Sequence, residues 1–152
     1  MIAKQTILVL CTGNSTRSQM AHGYLQHFAG ERATVLSAGV ETHGLNPKAV
    51  QVMAEDGIDI SHHTTNHVDE YAHLPIDFVI TVCDSAAERC PVWIGQPGPS
   101  LRNRTHHNFT DPSKATGTPD EIMSVYRHVR DEIRAFSEKF VAEHILVSLN
   151  TD

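Results

Sequence analysis

CTGNSTRSQ, running from Cys11 to Gln19, follows directly on the apolar run Ile7-Leu8-Val9-Leu10. An apolar, β-branched run bounded by turn formers predicts a central strand over residues 6–10, with Gly13 and Asn14 making the turn. Residues 18–28 then space Met20, Tyr24, Leu25 and Phe28 at helical intervals, and Gly30 ends that helix. The stretch is therefore a strand-to-helix turn. It carries a thiol at its lip and a guanidinium six positions later.

The same grammar continues along the chain. A second strand is expected over residues 34–38, closed by Gly39. Asn46-Pro47 is an N-cap and first-turn signal, and Ala49, Val50, Met53 and Ala54 form one helical face that stops at Gly57. A short helix is expected at 69–74 and a third strand at 77–82 (DFVITV). Residues 84–118 are loop-rich, with Pro91, Pro97, Pro99 and Pro112, and hold one short strand near 106–109. Pro119 opens a long helix with Ile122, Val125, Val129, Ile133, Phe136 and Phe140 at three- and four-residue intervals. Strands alternating with helices predict an α/β fold: a single domain over 1–152, with a four-stranded parallel sheet in the order 2-1-3-4 and helices on both faces. Ligands in such sheets sit at the carboxyl ends of the strands, near the switch point. Cys11 follows the first strand and Cys83 the third, so neighbouring strands would bring both thiols to one edge of the sheet.

Bulk properties narrow the class. The chain has 152 residues, 40% of them apolar, which suffices for a buried core without disulfide staples. Its formal charge of -6 argues against general attraction to nucleic acid or to an anionic membrane. No apolar stretch approaches the roughly 20 residues that span a bilayer. The N-terminal MIAKQTILVLCTGN lacks a small-residue cleavage site and runs straight into a turn, so the protein is expected to be cytoplasmic; a monomer is expected as well. Three cysteines are an odd count, which disfavours a purely structural disulfide framework. In a reducing compartment these thiols are catalytic, redox-active, metal-binding or merely buried.

A five-residue turn from strand to helix can curl its backbone N–H groups inward, and the helix adds its own unpaired N–H groups and positive dipole end. Together they make a nest for a tetrahedral oxyanion, formed by Thr12, Gly13, Asn14, Ser15, Thr16, Arg17 and Ser18. Arg17 supplies a planar, bidentate clamp for two anion oxygens. The same field favours a thiolate at Cys11, so one loop holds both an anion and the nucleophile that attacks it. Ser18 is placed to donate a hydrogen bond to that thiolate, and Asn14 tolerates left-handed backbone and can brace the loop. A cysteine and an arginine at this spacing mean little in isolation. The strand before, the helix after, and the Gly, Asn and Ser between them give the motif its reading. It is unlike the phosphate loop GxxxxGK[ST], which has no thiol. A general acid is needed too, and Asp111 in NFTDPSKATG could protonate a leaving oxygen if folded over the nest. Asp-Pro by itself is a turn signal.

VCDSAAERCP places Cys83 and Cys90 seven residues apart, which is neither zinc nor CxxC redox spacing. If residues 84–89 form a helical turn, the two sulfurs are too far apart to bond unless that segment moves. Each could instead be a small buried hydrophobe. With a reactive Cys11 across a neighbouring strand, a thiol relay is the more informative reading.

The chain resembles the thioredoxin-coupled arsenate reductases, built on the low-molecular-weight tyrosine phosphatase fold. LVLCTGNSTRSQMAHG is similar to the anion loop and first helix of that family, and SAGVETHGLNPKAV to its second strand and following helix. DFVITVCDSAAERCP is similar to its third strand and redox segment, FTDP to its acid loop, and VRDEI to a stretch near its C-terminus. The loop alone is shared with the phosphatases, whereas the added cysteine pair separates the reductases. The resemblance implies that Cys11 attacks arsenate held by the loop amides and Arg17, with water leaving on a proton from Asp111. Cys83 then attacks Cys11, releasing arsenite. Cys90 attacks Cys83, leaving a Cys83–Cys90 disulfide for thioredoxin to reduce. It implies no flavin, haem or nicotinamide cofactor, because the electrons come from thiols. Some relatives carry a further loop cysteine where this chain has Thr16. Some hold potassium with Asn, Glu, Ser and Asp, and the matching positions here are Asn14, His22, Ser37 and Asn66. The loss of both acids argues against potassium, since hard cations prefer charged oxygen ligands.

Eleven histidines invite a metal reading. His63 and His67 lie four apart, and His62-His63 and His106-His107 are adjacent, but no HExxH or Cys/His cluster appears, so no metal site is expected. These histidines read as surface loop residues, and Arg130, Asp131, Glu132 and Arg134 of the long helix as a solvated face. Two other functions fit parts of the pattern. A tyrosine phosphatase would use the same Cys11, Arg17 and Asp111 and would want an aromatic rim, for which Trp93 and Tyr71 are the candidates. A non-catalytic oxyanion-binding or redox-sensing module would use the thiols as a reversible switch.

Overall fold

The computed structural model describes residues 4–83 and 104–145. Its centre is β1 (Gln5–Cys11), in which Ile7, Leu8, Val9 and Leu10 are all fully buried. A strand buried on both faces must be covered by neighbours on both sides, and its continuous apolar run follows from that. β2 (Ala33–Gly39) and β3 (Phe78–Thr81) both pair with β1 in parallel, and the two-residue β4 (Thr105–His106) adds to β3. The order is β2-β1-β3-β4, as the alternation of elements predicts. The chain passes from β1 to β2 on one side and then to β3 on the other, so the crevice beyond the carboxyl end of β1 lies at the switch point.

Period-two alternation sends Ile7, Val9 and Cys11 to one face and Leu8 and Leu10 to the other. The first face is covered by α1 (Arg17–Ala29), α2 (Pro47–Glu55) and α3 (Pro119–His144) through Met20, Tyr24, Leu25, Val52, Met53, Val129 and Ile133. The second face is closed by Val68, Tyr71 and Leu74 around a single 3-10 turn at Val68–Tyr71. Among the described residues, then, the three α-helices share one face of the sheet, and the other is covered by the 3-10 turn and its flanking residues rather than by an α-helix.

Local signals set the helix starts. Asn46 caps α2 by accepting from the Lys48 and Ala49 amides. Thr118 and Glu121 form a reciprocal capping box before α3, with Pro119 in the first turn. Among the described residues no helix is long and apolar enough to cross a membrane.

The charged face of α3 departs from expectation. Arg127 holds Glu55 with two bonds of 2.9 Å, Arg130 reaches Glu55 at 3.0 Å and the Val52 carbonyl at 3.1 Å, and Arg134 holds Asp56 at 2.7 and 2.8 Å. These arginines are not simply solvated. They clamp the end of α2, where the last turn leaves carbonyls unpaired and a cation is favoured. Asp56 also accepts from the buried Tyr24 hydroxyl at 2.7 Å. That bond, with the neighbouring Arg134 and Arg130, holds the Asp56 carboxyl below its ordinary range.

Candidate active site

β1 ends at Cys11, and α1 begins six residues later at Arg17. The turn between them is pressed against the end of β2. A Cβ on Gly39 would lie 2.5 Å from the Thr12 carbonyl oxygen and 2.9 Å from the Asn14 nitrogen, so only glycine permits this approach. The chain beyond Gly39 then lies along the turn, the Glu41 and His43 amides donating to the Thr12 and Gly13 carbonyls at 3.0 and 3.1 Å. Asn14, at φ 49°, is the non-glycine residue with left-handed backbone among the described residues. It is fully buried, so the surrounding bonds must hold it there.

Those bonds form a chain leading to the thiol. Asn14 Nδ2 donates to Ser18 Oγ at 2.9 Å, and Ser18 Oγ lies 2.9 Å from Cys11 Sγ. Ser18 Oγ accepts from Asn14, and its own hydrogen can be given to the sulfur when Cys11 is a thiolate. Cys11 is a free thiol, only 2% exposed. Asn46 ties the turn to the helices: its amide nitrogen donates to Thr16 Oγ1 at 3.1 Å and to Tyr126 OH at 3.0 Å, and its backbone amide to the Ser15 carbonyl at 3.2 Å. Burial raises the Tyr126 hydroxyl above its ordinary range, so it is neutral beside the loop.

A cavity of about 260 Å³ opens on the concave side of the turn. Thr12, Gly13, Ser15, Thr16 and Arg17 line it together with Cys11 and Asp111, and His43, Ser113 and Lys114 complete the wall. Asn14 and Ser18 stand behind the lining, both fully buried. Arg17 is 4% exposed, which is unusual for a guanidinium, and donates to the Phe109 carbonyl at 3.2 Å. Its Nη2 lies 3.6 Å from Asp111 Oδ2. Asp111 is also a turn former, its Oδ1 accepting from the Ser113 amide at 3.0 Å and hydroxyl at 2.6 Å. One oxygen caps the turn while the other faces the arginine, so both meanings of the Asp-Pro signal hold at once.

Cys83 is fully buried just past β3. Leu10 pairs with Thr81, and the Val82 amide donates to the Leu10 carbonyl at 3.0 Å, so Cys11 and Cys83 follow neighbouring strands at the same sheet edge. Unlike Cys11, Cys83 is disulfide-bonded. Cys90 and Trp93 lie outside the described residues.

No group of three or more His, Cys, Asp or Glu among the described residues is arranged to hold a metal. At Asn14, His22, Ser37 and Asn66 the donors bond one another. His22 Nδ1 lies 2.9 Å from Ser37 Oγ, and Asn14 Oδ1 accepts from the Asn66 amide at 2.8 Å. The four bring no carboxylate, and this set does not fit a potassium ion. His22 lies in α1, and His63, in a loop, is only half-exposed. Their rings stack at 4.2 Å, and burial followed by the neighbouring His63 and His62 lowers the His22 pKa to about 3.

A thiol and a buried guanidinium sharing a loop at the end of a central parallel strand also mark a known family. The model of the low molecular weight phosphotyrosine protein phosphatases matches residues 6–147. The chain belongs to this family. Among its relatives, an arsenate reductase of Halalkalibacterium halodurans is 48% identical over 130 residues, covering 86% of this chain and 90% of the relative. The arsenate reductase of Bacillus subtilis is 46% identical over 127 residues, covering 84% and 88%. Among solved structures of this phosphatase fold, an arsenate reductase in the phosphate binding state superposes with a TM-score of 0.75 at 27% identity, covering 91% of this chain and 98% of that one. The loop residues were legible in the sequence, whereas Asn46 read only as an N-cap although its side chain also reaches Thr16 and Tyr126, and nothing singled out His43, which lines the cavity.

Proposed function

We propose that the protein is an arsenate reductase working through a Cys11–Cys83–Cys90 relay regenerated by thioredoxin, in the cytoplasm, as part of arsenic detoxification. The observation that carries this reading is the pair of cysteines at one sheet edge: a free Cys11 in the anion loop and a disulfide-bonded Cys83 after the adjacent strand. A phosphatase needs the first and has no use for the second. The arsenate reductase relatives, at 42–48% identity, support the same choice.

In the first step the Cys11 thiolate attacks arsenic in an arsenate held by the loop amides and Arg17. An As–O bond breaks, and the oxygen leaves as water with a proton from Asp111. Ser18 stabilises the attacking sulfur, and Arg17 neutralises the equatorial oxygens. Cys83 then attacks Cys11 Sγ. The S–As electron pair stays with arsenic, which departs as arsenite, and a Cys11–Cys83 disulfide forms. Cys90 attacks Cys83, restores the Cys11 thiolate and leaves Cys83–Cys90 oxidised. A thioredoxin dithiol reduces that bond, so two electrons and two protons balance arsenate against arsenite and water. No step uses a metal or an organic cofactor.

The test is arsenite release under steady-state turnover with thioredoxin, its reductase and NADPH. Wild type should turn over, while Cys83→Ser and Cys90→Ser should not, although both should keep slow hydrolysis of p-nitrophenyl phosphate. Phosphate-ester hydrolysis without arsenite release in the wild type would favour the phosphatase reading. Oxyanion binding without either activity would favour a non-catalytic module.

A further inference from the structure

Gln19 is fully buried in the first turn of α1, and the chemistry above makes no use of it. Its amide nitrogen donates to the Asn14 carbonyl and to the Thr64 carbonyl, each at 3.0 Å. Both neighbours are carbonyl oxygens and can only accept, so the nitrogen side of the amide must face them. Its oxygen then faces His63 Nδ1 at 2.9 Å, and that ring nitrogen must carry hydrogen. His63 is held in turn by stacking on His22 at 4.2 Å. Every polar atom of the Gln19 side chain is thereby committed in one orientation, and its grip falls on Asn14, the left-handed residue of the turn.

We propose that Gln19 is a positioning residue for oxyanion binding: oriented by His63, its amide holds the Asn14 peptide in its left-handed conformation and with it the Asn14–Ser18–Cys11 bonds. Left-handed backbone is costly for any residue with a Cβ, and it persists only where neighbours fix it. Asn14 is fixed from two sides. Its side-chain oxygen takes the Asn66 amide, and its carbonyl takes Gln19. Thr64 lies beside Asn66 on the same loop, so one Gln19 nitrogen ties that loop, the turn and α1 together. Glutamine suits the place because it offers two donors and one acceptor at the tip of one side chain. Methionine matches its length without either.

The inference rests on the oxyanion-binding part of the proposed function, which reductase and phosphatase chemistry share. It can be tested without arsenate. Inorganic phosphate should protect Cys11 from iodoacetamide, and mass spectrometry of the Cys11 peptide gives the phosphate affinity. Gln19→Met should weaken that affinity by about tenfold, the size expected for a lost buried hydrogen-bond pair. A folded Gln19→Met with affinity within twofold of wild type overturns the role. A second pair of variants stands clear of the loop. His63→Leu removes the donor that orients Gln19 and should weaken phosphate binding, whereas His63→Asn, whose side-chain amide offers an N–H, should restore it. Equal affinities for His63→Leu and His63→Asn count against the inference. If phosphate fails to protect wild-type Cys11, the oxyanion reading itself falls, and this role with it.

Discussion

Taking the protein from about pH 7.5 to about pH 5 should remove about 2 kcal/mol of folding stability through His22 alone. His22 bonds Ser37 through Nδ1 and stacks on His63, and burial, then His63 and His62, lower its pKa from 6.5 to about 3. The folded value lies below the unfolded one, so the unfolded chain takes up the proton first as pH falls. Stability is therefore fully present above about pH 6.5 and drains away towards pH 3, at about 1.4 kcal/mol per pH unit per group. His63 is lowered as well, chiefly by burial and by His62, and acts with the same sign. The lowered carboxylates Glu55, Asp56, Asp59, Glu70 and Glu121 lose their contributions at more acid pH, so the window above about pH 5 belongs to the histidines. Urea unfolding across this window measures the slope. His22→Gln keeps a side-chain partner for Ser37 but cannot titrate, and it should flatten the curve by about 2 kcal/mol. Identical slopes for wild type and His22→Gln, or wild-type stability that rises on acidification, would refute the reasoning.

Three further outcomes follow from the packing. Ser18→Ala leaves Asn14 Nδ2 without its acceptor and Cys11 without its donor, and at about 1–3 kcal/mol for such a buried loss it should slow Cys11 alkylation by about 10- to 100-fold. An unchanged alkylation rate contradicts it. In Gly39→Ala the new methyl meets the Thr12 carbonyl oxygen, and backbone cannot step aside without reshaping the loop. Calorimetry with phosphate should show affinity reduced by about tenfold or more, a strain of the size typical of overpacking, and wild-type affinity would count against the close approach. Asp56→Ala strips the Tyr24 hydroxyl of its acceptor and should cost about 2 kcal/mol, or roughly 4–8 °C in melting temperature. Arg134→Ala, at a side chain 49% exposed, should cost less than about 1 kcal/mol. Equal losses from the two would place the stabilisation in the ion pair rather than the buried hydroxyl.

The parts of this architecture that rest on near neighbours in sequence were legible before any coordinates. Residues 6–10 had to be a central strand because an uninterrupted apolar run leaves no solvent face. Asn14 read as a residue that tolerates left-handed backbone, and the turn uses it in that conformation. Ser18 was put within reach of Cys11, where the structure has it at 2.9 Å, because strand, turn and helix fix that separation locally. What escaped depends on elements far apart in sequence. Arg130 and Arg134 read as solvent-facing because nothing near them reveals that α2 ends against that side of α3. His63 read as a surface residue of its loop because its partners, His22 and Gln19, arrive from α1. Asn46 looked like a cap and is one, yet its other amide group reaches Thr16 and Tyr126. Long polar side chains with several donors serve two masters in this way, and sequence shows only the local one.

The thiol relay is the claim on which the functional reading stands. Its most direct measurement is a single turnover: fully reduced protein, no external reductant, excess arsenate, with arsenite counted and disulfides mapped by mass spectrometry. The relay predicts one arsenite per chain, a Cys83–Cys90 disulfide and a free Cys11 in the wild type, and a trapped Cys11–Cys83 disulfide in Cys90→Ser. Arsenite formed without any Cys83 disulfide, or no arsenite from a reduced and folded protein, would contradict it.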